Sequence, residues 1–400
     1  MEEHAGDPYG SPDGRYSYTS SVVDRIRENG HHWKAGRLTV VLPQKFGFCW
    51  GVDRALAMVN DAIAANPGRR LWLIDQVIHN PRVNADLLGR GVRFLKGPLA
   101  DPGAFEALRP EDLVLIPAFS AEVEDRRRIA AAGCDAVDTT CPWVIKPHKR
   151  TQRYVAEGFT TVIHGMLRHE ETRATCSLIA SEGGHYVVVG DLAETDLLCG
   201  FLRREPDPGA FLGAFEEKVS RGFDPARHLE RVGLVNQTTM LASESREVAR
   251  RVRVAMTARF GEAALAERFR DFDTICRATQ ENQDELDVVA AREAPALLLV
   301  VGGYDSSNTK NLARIGDARD IPAYHVESLA SIQADFLRHR DRRSGVEIET
   351  RDWLPPAEAT VALAAGASTP DTLLAEVILR LYEVAGVSDP FATEARPLPR

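Results

Sequence analysis

Asp-Thr-Xaa-Cys occurs twice in this chain, as Asp138-Thr139-Thr140-Cys141 and Asp273-Thr274-Ile275-Cys276. A third cysteine, Cys49, stands in a comparable setting in Gly47-Phe48-Cys49. A short strand-like segment leads to each thiol: Leu38 to Leu42, Ala136-Val137, and the mixed run Phe269-Arg270-Asp271-Phe272. A helix-like segment follows each one. A chain that repeats strand, thiol and helix three times is constrained to build repeated α/β units. Three thiols in matching places of such units can meet at one centre, and that arrangement suits a metal cluster.

The rest of the chain keeps the same period. After each of these cysteines a helical stretch leads to a buried strand and a small polar turn: Leu71 to Ile74 before Ile78-His79-Asn80, Thr160 to Ile163 before His164-Gly165, and Ala296 to Val301 before Gly302-Gly303. Each unit then offers another strand ending in a small-residue loop: Pro117-Ala118-Phe119-Ser120, Asn236-Gln237-Thr238-Thr239 and Gly366-Ala367-Ser368-Thr369. Alternating strands and helices predict an α/β fold with mainly parallel sheets, and such loops at strand ends are where these sheets bind ligands. The expected architecture is three pseudo-repeated α/β modules in a trefoil around a central cluster. The expected boundaries are 38–141, 142–271, with an insertion near 200–228, and 272–388. Residues 1–37 read as a disordered or extended N-terminal arm and 389–400 as a polar tail.

Composition narrows the function. Four hundred residues with 44% apolar content can bury a large core, and no apolar run is long enough to span a membrane. The start lacks the basic flank and apolar stretch of a signal peptide, and the early acidic residues Glu2, Glu3 and Asp7 disfavour a transit peptide. Six cysteines are too sparse for a disulfide scaffold and point to metal or catalysis in a cytoplasmic protein. A net charge of −9 disfavours a nucleic-acid surface.

Each motif has a plain structural reading beside a chemical one. Cys49, Cys141 and Cys276 can be buried thiols, but in equivalent positions they suit cluster ligation, with one iron left to an outside oxygen ligand. Cys134, Cys176 and Cys199 lack the pattern and read as core or incidental. His169-Glu170-Glu171-Thr172 can be a helix start favoured by acidic residues, or it can hold a proton source, since a carboxyl group among anions is pushed toward its neutral form. Ser306-Ser307-Asn308-Thr309 and Gly366-Ala367-Ser368-Thr369 can cap helices, yet together they offer a donor-rich cradle for a diphosphate. His79 and Thr238 stand at strand ends where polar groups need partners.

With these residues laid out, the chain resembles the IspH (LytB) family of 4-hydroxy-3-methylbut-2-enyl diphosphate reductases over roughly residues 38 to 385. The carriers are Gly47 to Ala55, Ile78-His79-Asn80, Asp138 to Pro142, His169 to Thr172, Asn236 to Thr239, Ser306-Ser307-Asn308 and Gly366-Ala367-Ser368. The resemblance implies a [4Fe–4S] cluster on Cys49, Cys141 and Cys276 with one open iron. It implies reductive loss of the substrate's hydroxyl as water, using two electrons and two protons, to give isopentenyl and dimethylallyl diphosphate. By motif position Glu171 delivers protons, Thr238 positions the hydroxyl, and His169 acts beside them. His79, His169, Thr238, Ser306, Ser307, Asn308 and Ser368 hold the substrate. A ferredoxin or flavodoxin is the implied electron donor, with no nucleic acid and no membrane involved.

One departure stands out. Many bacterial members read Ser-Ala-His-Gly where this chain has Pro117-Ala118-Phe119-Ser120, as the plant and cyanobacterial branch does. Phe119 cannot donate a hydrogen bond, so compensation by Ser120, a backbone N–H or water is expected. Two other classes fit the same thiols: a zinc hydrolase with an open coordination position, and a cluster-bearing redox sensor without turnover.

Overall fold

The computed structural model describes residues 18–203, 207–341 and 344–392. They form two compact units: one from the segment up to Asp53, His79–Arg82 and the chain from Ala278 on, the other from Arg54–Ile78 and Val83–Arg277.

The second unit contains two four-stranded parallel sheets. In one, the strands run Arg93–Phe94, Leu71–Leu73, Leu113–Ile116, Asp135–Asp138 across the sheet. In the other the order is Tyr186–Val189, Thr160–His164, Val232–Asn236, Phe269–Asp271. The central strands are buried along their whole length, as continuous apolar runs in parallel sheets require. The two sheets share one strand order. The edge strand leading to a cysteine pairs with the strand that ends in a small-residue loop, and that strand pairs with the one ending in the first polar turn.

The first unit repeats this order in the core of a seven-stranded sheet. Leu38–Val41 pairs in parallel with Ala359–Ala365, which pairs with Leu297–Val301 and then Ala323–Val326. An antiparallel strand, His32–Ala35, extends one edge, and the hairpin Phe336–Arg340 and Glu347–Arg351 extends the other. The expected α/β class with largely parallel sheets is therefore what the chain forms.

Three boundaries differ from the sequence reading. Leu38–Val41 was expected to open the first module, but it is a rung of the third sheet, with Val41 opposite Ala362. Three of its four residues are buried, and its parallel partner Ala359–Ala365 comes from the far end of the chain. The arm 1–37 is also partly structured. Ser20 caps the helix Ser21–Glu28, whose Val23 and Ile26 are fully buried in the core of the first unit. At the other end, Trp33 donates its indole N–H to the Pro390 carbonyl and its ring lies 4.6 Å from that of Phe391, so the start of the tail is part of the unit. Residues 1–17 and 393–400 of the expected arm and tail lie outside the described residues.

The insertion near 200–228 is built on aromatic burial. Phe211, Phe215 and Phe223 join Leu198 and Leu202 in the core beside Tyr186–Val189; residues 204–206 lie outside the description. Among the described residues no helix is long and apolar enough to cross a membrane.

Candidate active site

The local structure explains why Asp-Thr-Xaa-Cys recurs. Asp138 Oδ1 accepts the backbone N–H of Thr140 at 2.9 Å, and Asp273 Oδ1 accepts that of Ile275 at 2.9 Å. The threonine hydroxyls tie the segment to the adjacent strand: Thr139 donates to the Ile116 carbonyl at 2.6 Å and Thr274 to that of Asn236 at 2.5 Å. Aspartate bends the chain, threonine anchors it, and cysteine comes next. The thiol-bearing residue is then held by its own backbone. Cys141 N–H donates to the Ala118 carbonyl at 3.0 Å and Cys276 N–H to the Thr238 carbonyl at 3.0 Å. In the first unit Cys49 N–H donates to the Ala367 carbonyl at 3.3 Å. Each acceptor belongs to the small-residue loop of the neighbouring strand, so the three cysteines are equivalent in bonding as well as in sequence.

A helix begins directly after each of them, at Trp50, Pro142 and Arg277. A helix N-terminus favours a thiolate over a thiol. Burial pushes the Cys141 thiol up, the backbone N–H groups of Trp143 and Val144 counter it, and the nearby Glu171 carboxylate adds to the rise. A bound cation reverses that balance. None of the six cysteines is in a disulfide, and Cys176 and Cys199 are core residues, as their lack of pattern suggested.

In the second unit the structure brings together Glu171, Thr238 and His169. Glu171 is 2% exposed. Its Oε1 accepts the Thr238 backbone N–H at 2.7 Å and its Oε2 the Thr238 hydroxyl at 2.8 Å. His169 caps the helix Glu170–Ser181, its Nδ1 accepting the Glu171 backbone N–H at 3.2 Å. Because that nitrogen accepts, the imidazole proton resides on Nε2, which is thereby a donor. Phe119 lies edge-on to the His169 ring at 5.6 Å. Ser120 accepts a hydrogen bond from Arg126. Gln237 braces the loop from behind, its Oε1 accepting from Met166 N–H and the Thr172 hydroxyl.

In the first unit the structure gathers His79, Ser306, Ser307, Asn308 and Ser368. All are buried. The Ser368 hydroxyl lies 3.3 Å from the His79 carbonyl, to which it donates, and 3.5 Å from Ser306 Oγ. Asn308 Oδ1 accepts the Ala367 N–H at 2.8 Å, joining the loop after Ala359–Ala365 to the helix Ser307–Arg314. Ser306 caps that helix by accepting from Thr309 N–H. Asn80 donates to the Ser368 carbonyl at 2.9 Å. The approach is so close that glycine is required: a Cβ on Gly303 would stand 2.4 Å from the His79 carbonyl oxygen, and one on Gly366 2.0 Å from Thr309 Oγ1. Sequence reasoning missed Thr279, fully buried, whose hydroxyl accepts from Asn308 Nδ2 at 3.4 Å. No local sequence signal marked it.

These pieces offer two kinds of polar surface: a set of hydroxyl and amide groups, and a buried, oriented carboxyl group. Hydroxyl and amide groups at a helix N-terminus, with no acidic side chain among the five gathered residues, are of a kind that suits an anion. The Glu171 carboxyl group, with both oxygens engaged, is held in one orientation.

Comparison with known proteins bears on the family. A family model described as LytB protein matches residues 40–382. A protein of Gloeobacter violaceus named 4-hydroxy-3-methylbut-2-enyl diphosphate reductase is 42% identical over 96% of this chain and 92% of its own. One of the same name from Thermosynechococcus vestitus is 38% identical over 93% and 91%. Two solved structures share the fold. One, of an (E)-4-hydroxy-3-methyl-but-2-enyl diphosphate reductase, has a TM-score of 0.51 at 23% identity, covering 86% of this chain and 99% of its own. The other, of the Plasmodium falciparum reductase, has a TM-score of 0.63 at 19% identity, covering 86% and 87%. With a family model spanning most of its length and relatives this similar across nearly all of theirs, the chain belongs to the LytB family.

Proposed function

We propose that this chain reduces 4-hydroxy-3-methylbut-2-enyl diphosphate to isopentenyl and dimethylallyl diphosphate, removing the allylic hydroxyl as water. The observation that carries the reading is the buried Glu171 carboxyl group with both oxygens engaged by Thr238. These two bonds fix the orientation of a carboxyl group that is shielded from bulk water, which suits a group that transfers a proton.

The cysteines fit a cluster. Three thiols at helix N-termini, with matching backbone anchors and no disulfide, are the donor set a [4Fe–4S] cube takes when one iron is left to an outside ligand. We assign Cys49, Cys141 and Cys276 to it. When bound, such a cluster supplies the electrons and a Lewis-acidic iron. The protein residues do the rest. His79, Ser306, Ser307, Asn308 and Ser368 bind the diphosphate. His169, donating from Nε2, adds a hydrogen bond to the substrate. Thr238 holds Glu171 and presents its hydroxyl oxygen toward the leaving group, and Glu171 gives up a proton to it. Burial of both residues keeps bulk water from competing for that proton. The electrons come from a ferredoxin or flavodoxin, and six cysteines outside any disulfide suit the reducing cytoplasm.

The test is anaerobic turnover. The chain, supplied with the substrate and a chemical reductant, is expected to release both five-carbon diphosphates. Unchanged substrate, with the cluster loaded, would contradict the proposal.

A further inference from the structure

The helix Pro142–Ala156 carries four basic residues, Lys146, Lys149, Arg150 and Arg153, and no acidic one, in a chain of net charge −9. Their spacing puts them on one helix face. A groove of about 380 Å³ runs between this face and Phe272 to Ile275. The Lys146 ammonium lies 3.3 Å from the Trp143 ring centroid, and the Arg150 guanidinium 3.9 Å from that of Phe272. Stacking holds these side chains in place, so they lose less freedom when a partner arrives. Of the neighbouring acids two have basic partners, and the third, which lines the groove, is bound by the backbone. Asp273 accepts from Ile275, Asp271 faces Arg253 at 3.4 Å, and Glu157 pairs with Arg153 at 2.6 Å. Among the described residues no carboxylate pairs with Lys146, Lys149 or Arg150.

The position adds meaning. Trp143 follows Cys141 by two residues, and Ile275 immediately precedes Cys276. A rise of about 1.5 Å per residue puts Lys146 within two helical turns of Cys141.

We propose that this cationic, aromatic face docks an acidic one-electron carrier protein. The proposal rests on the reductase reading above. That reaction needs two electrons that the substrate does not bring, and electron transfer falls steeply with distance, so a carrier must approach beside the thiols. An acidic carrier is steered there by complementary charge. Two reduced carriers each lose one electron per turnover. The allylic C–O bond breaks, one proton leaves with the oxygen as water, and a second goes to the allylic carbon.

The test measures binding of a plant-type [2Fe–2S] ferredoxin with an acidic surface to the anaerobically purified full chain by biolayer interferometry. Three proteins are compared: wild type, the triple variant Lys146→Glu, Lys149→Glu, Arg150→Glu, and Lys149→Glu alone at an exposed position. The triple variant is expected to bind about thirty-fold more weakly and the single variant about three-fold. Wild-type binding is expected to weaken as salt rises toward about 0.3 M. Turnover driven by ferredoxin should fall in step, while turnover driven by reduced methyl viologen, which needs no docking face, stays at the wild-type level. Intact dye-driven turnover with unaltered ferredoxin binding in both variants overturns the docking face alone. A short DNA duplex that binds this face more tightly than ferredoxin overturns it as well. Absence of dye-driven turnover in the loaded wild type overturns the reductase reading and the carrier role together.

Discussion

Thr238 holds Glu171 by two bonds, its backbone N–H on one carboxylate oxygen at 2.7 Å and its hydroxyl on the other at 2.8 Å. The backbone of Cys276 is fixed by the carbonyl of the same threonine at 3.0 Å. One residue therefore sets the position of the proposed proton donor and of one proposed cluster ligand.

Replacing Glu171 by Gln keeps the size and most of the hydrogen bonding but removes the proton. Turnover is expected to fall by about two to four powers of ten, the usual worth of general acid catalysis. Iron and sulfide content should remain at the wild-type level. Near-normal turnover in a fully loaded Glu171→Gln protein would remove Glu171 from the proton path.

Phe119 stands where many bacterial relatives have a histidine, and its ring rests edge-on against His169 at 5.6 Å. A lost charge-assisted hydrogen bond is worth about 1.5–3 kcal/mol, yet His169 retains an Nε2 donor. Phe119→His is therefore expected to leave kcat/KM within about one power of ten, the lower part of that range. A much larger gain in substrate affinity would show that nothing compensates for the missing donor.

Much of this site was legible because it is written in contiguous motifs. The cysteines, His169 to Glu171 and Asn236 to Thr239 each sit where a strand meets a helix, and local patterning marks such junctions. The parallel partner of Leu38–Val41 was not legible. A largely buried apolar strand looks the same whichever sheet it joins, and the partner Ala359–Ala365 lies at the far end of the chain. The helix Ser21–Glu28 was missed because two apolar residues, Val23 and Ile26, carry its buried face. Thr279 was missed because a threonine inside a helix gives no signal until Asn308 is placed beside it.

His325 provides a pH test of the first unit. Burial, countered by the hydrogen bond to the Gly302 carbonyl and reinforced by the charges of Lys310 and Arg340, pushes its pKa down from 6.5 to about 4. The unfolded chain thus takes up a proton that the folded chain refuses between these values. The stabilising contribution is complete above the unfolded pKa and is lost as pH falls toward the folded one. Going from pH 7 to pH 5 should cost about 2 kcal/mol through this residue. His325→Gln should show a shallower fall in urea midpoint over that range; an identical fall would assign the pH dependence to other groups.

Cys49, Cys141 and Cys276 are proposed to hold one cubane cluster. Anaerobic purification followed by iron, acid-labile sulfide and zinc analysis tests it most directly, with Cys141→Ser in parallel. About four irons and four sulfides per chain are expected, the content of a [4Fe–4S] cube, with a brown protein bleached by reductant and loss of both elements in the serine variant. A colourless protein carrying zinc, or iron content unchanged by Cys141→Ser, would contradict it.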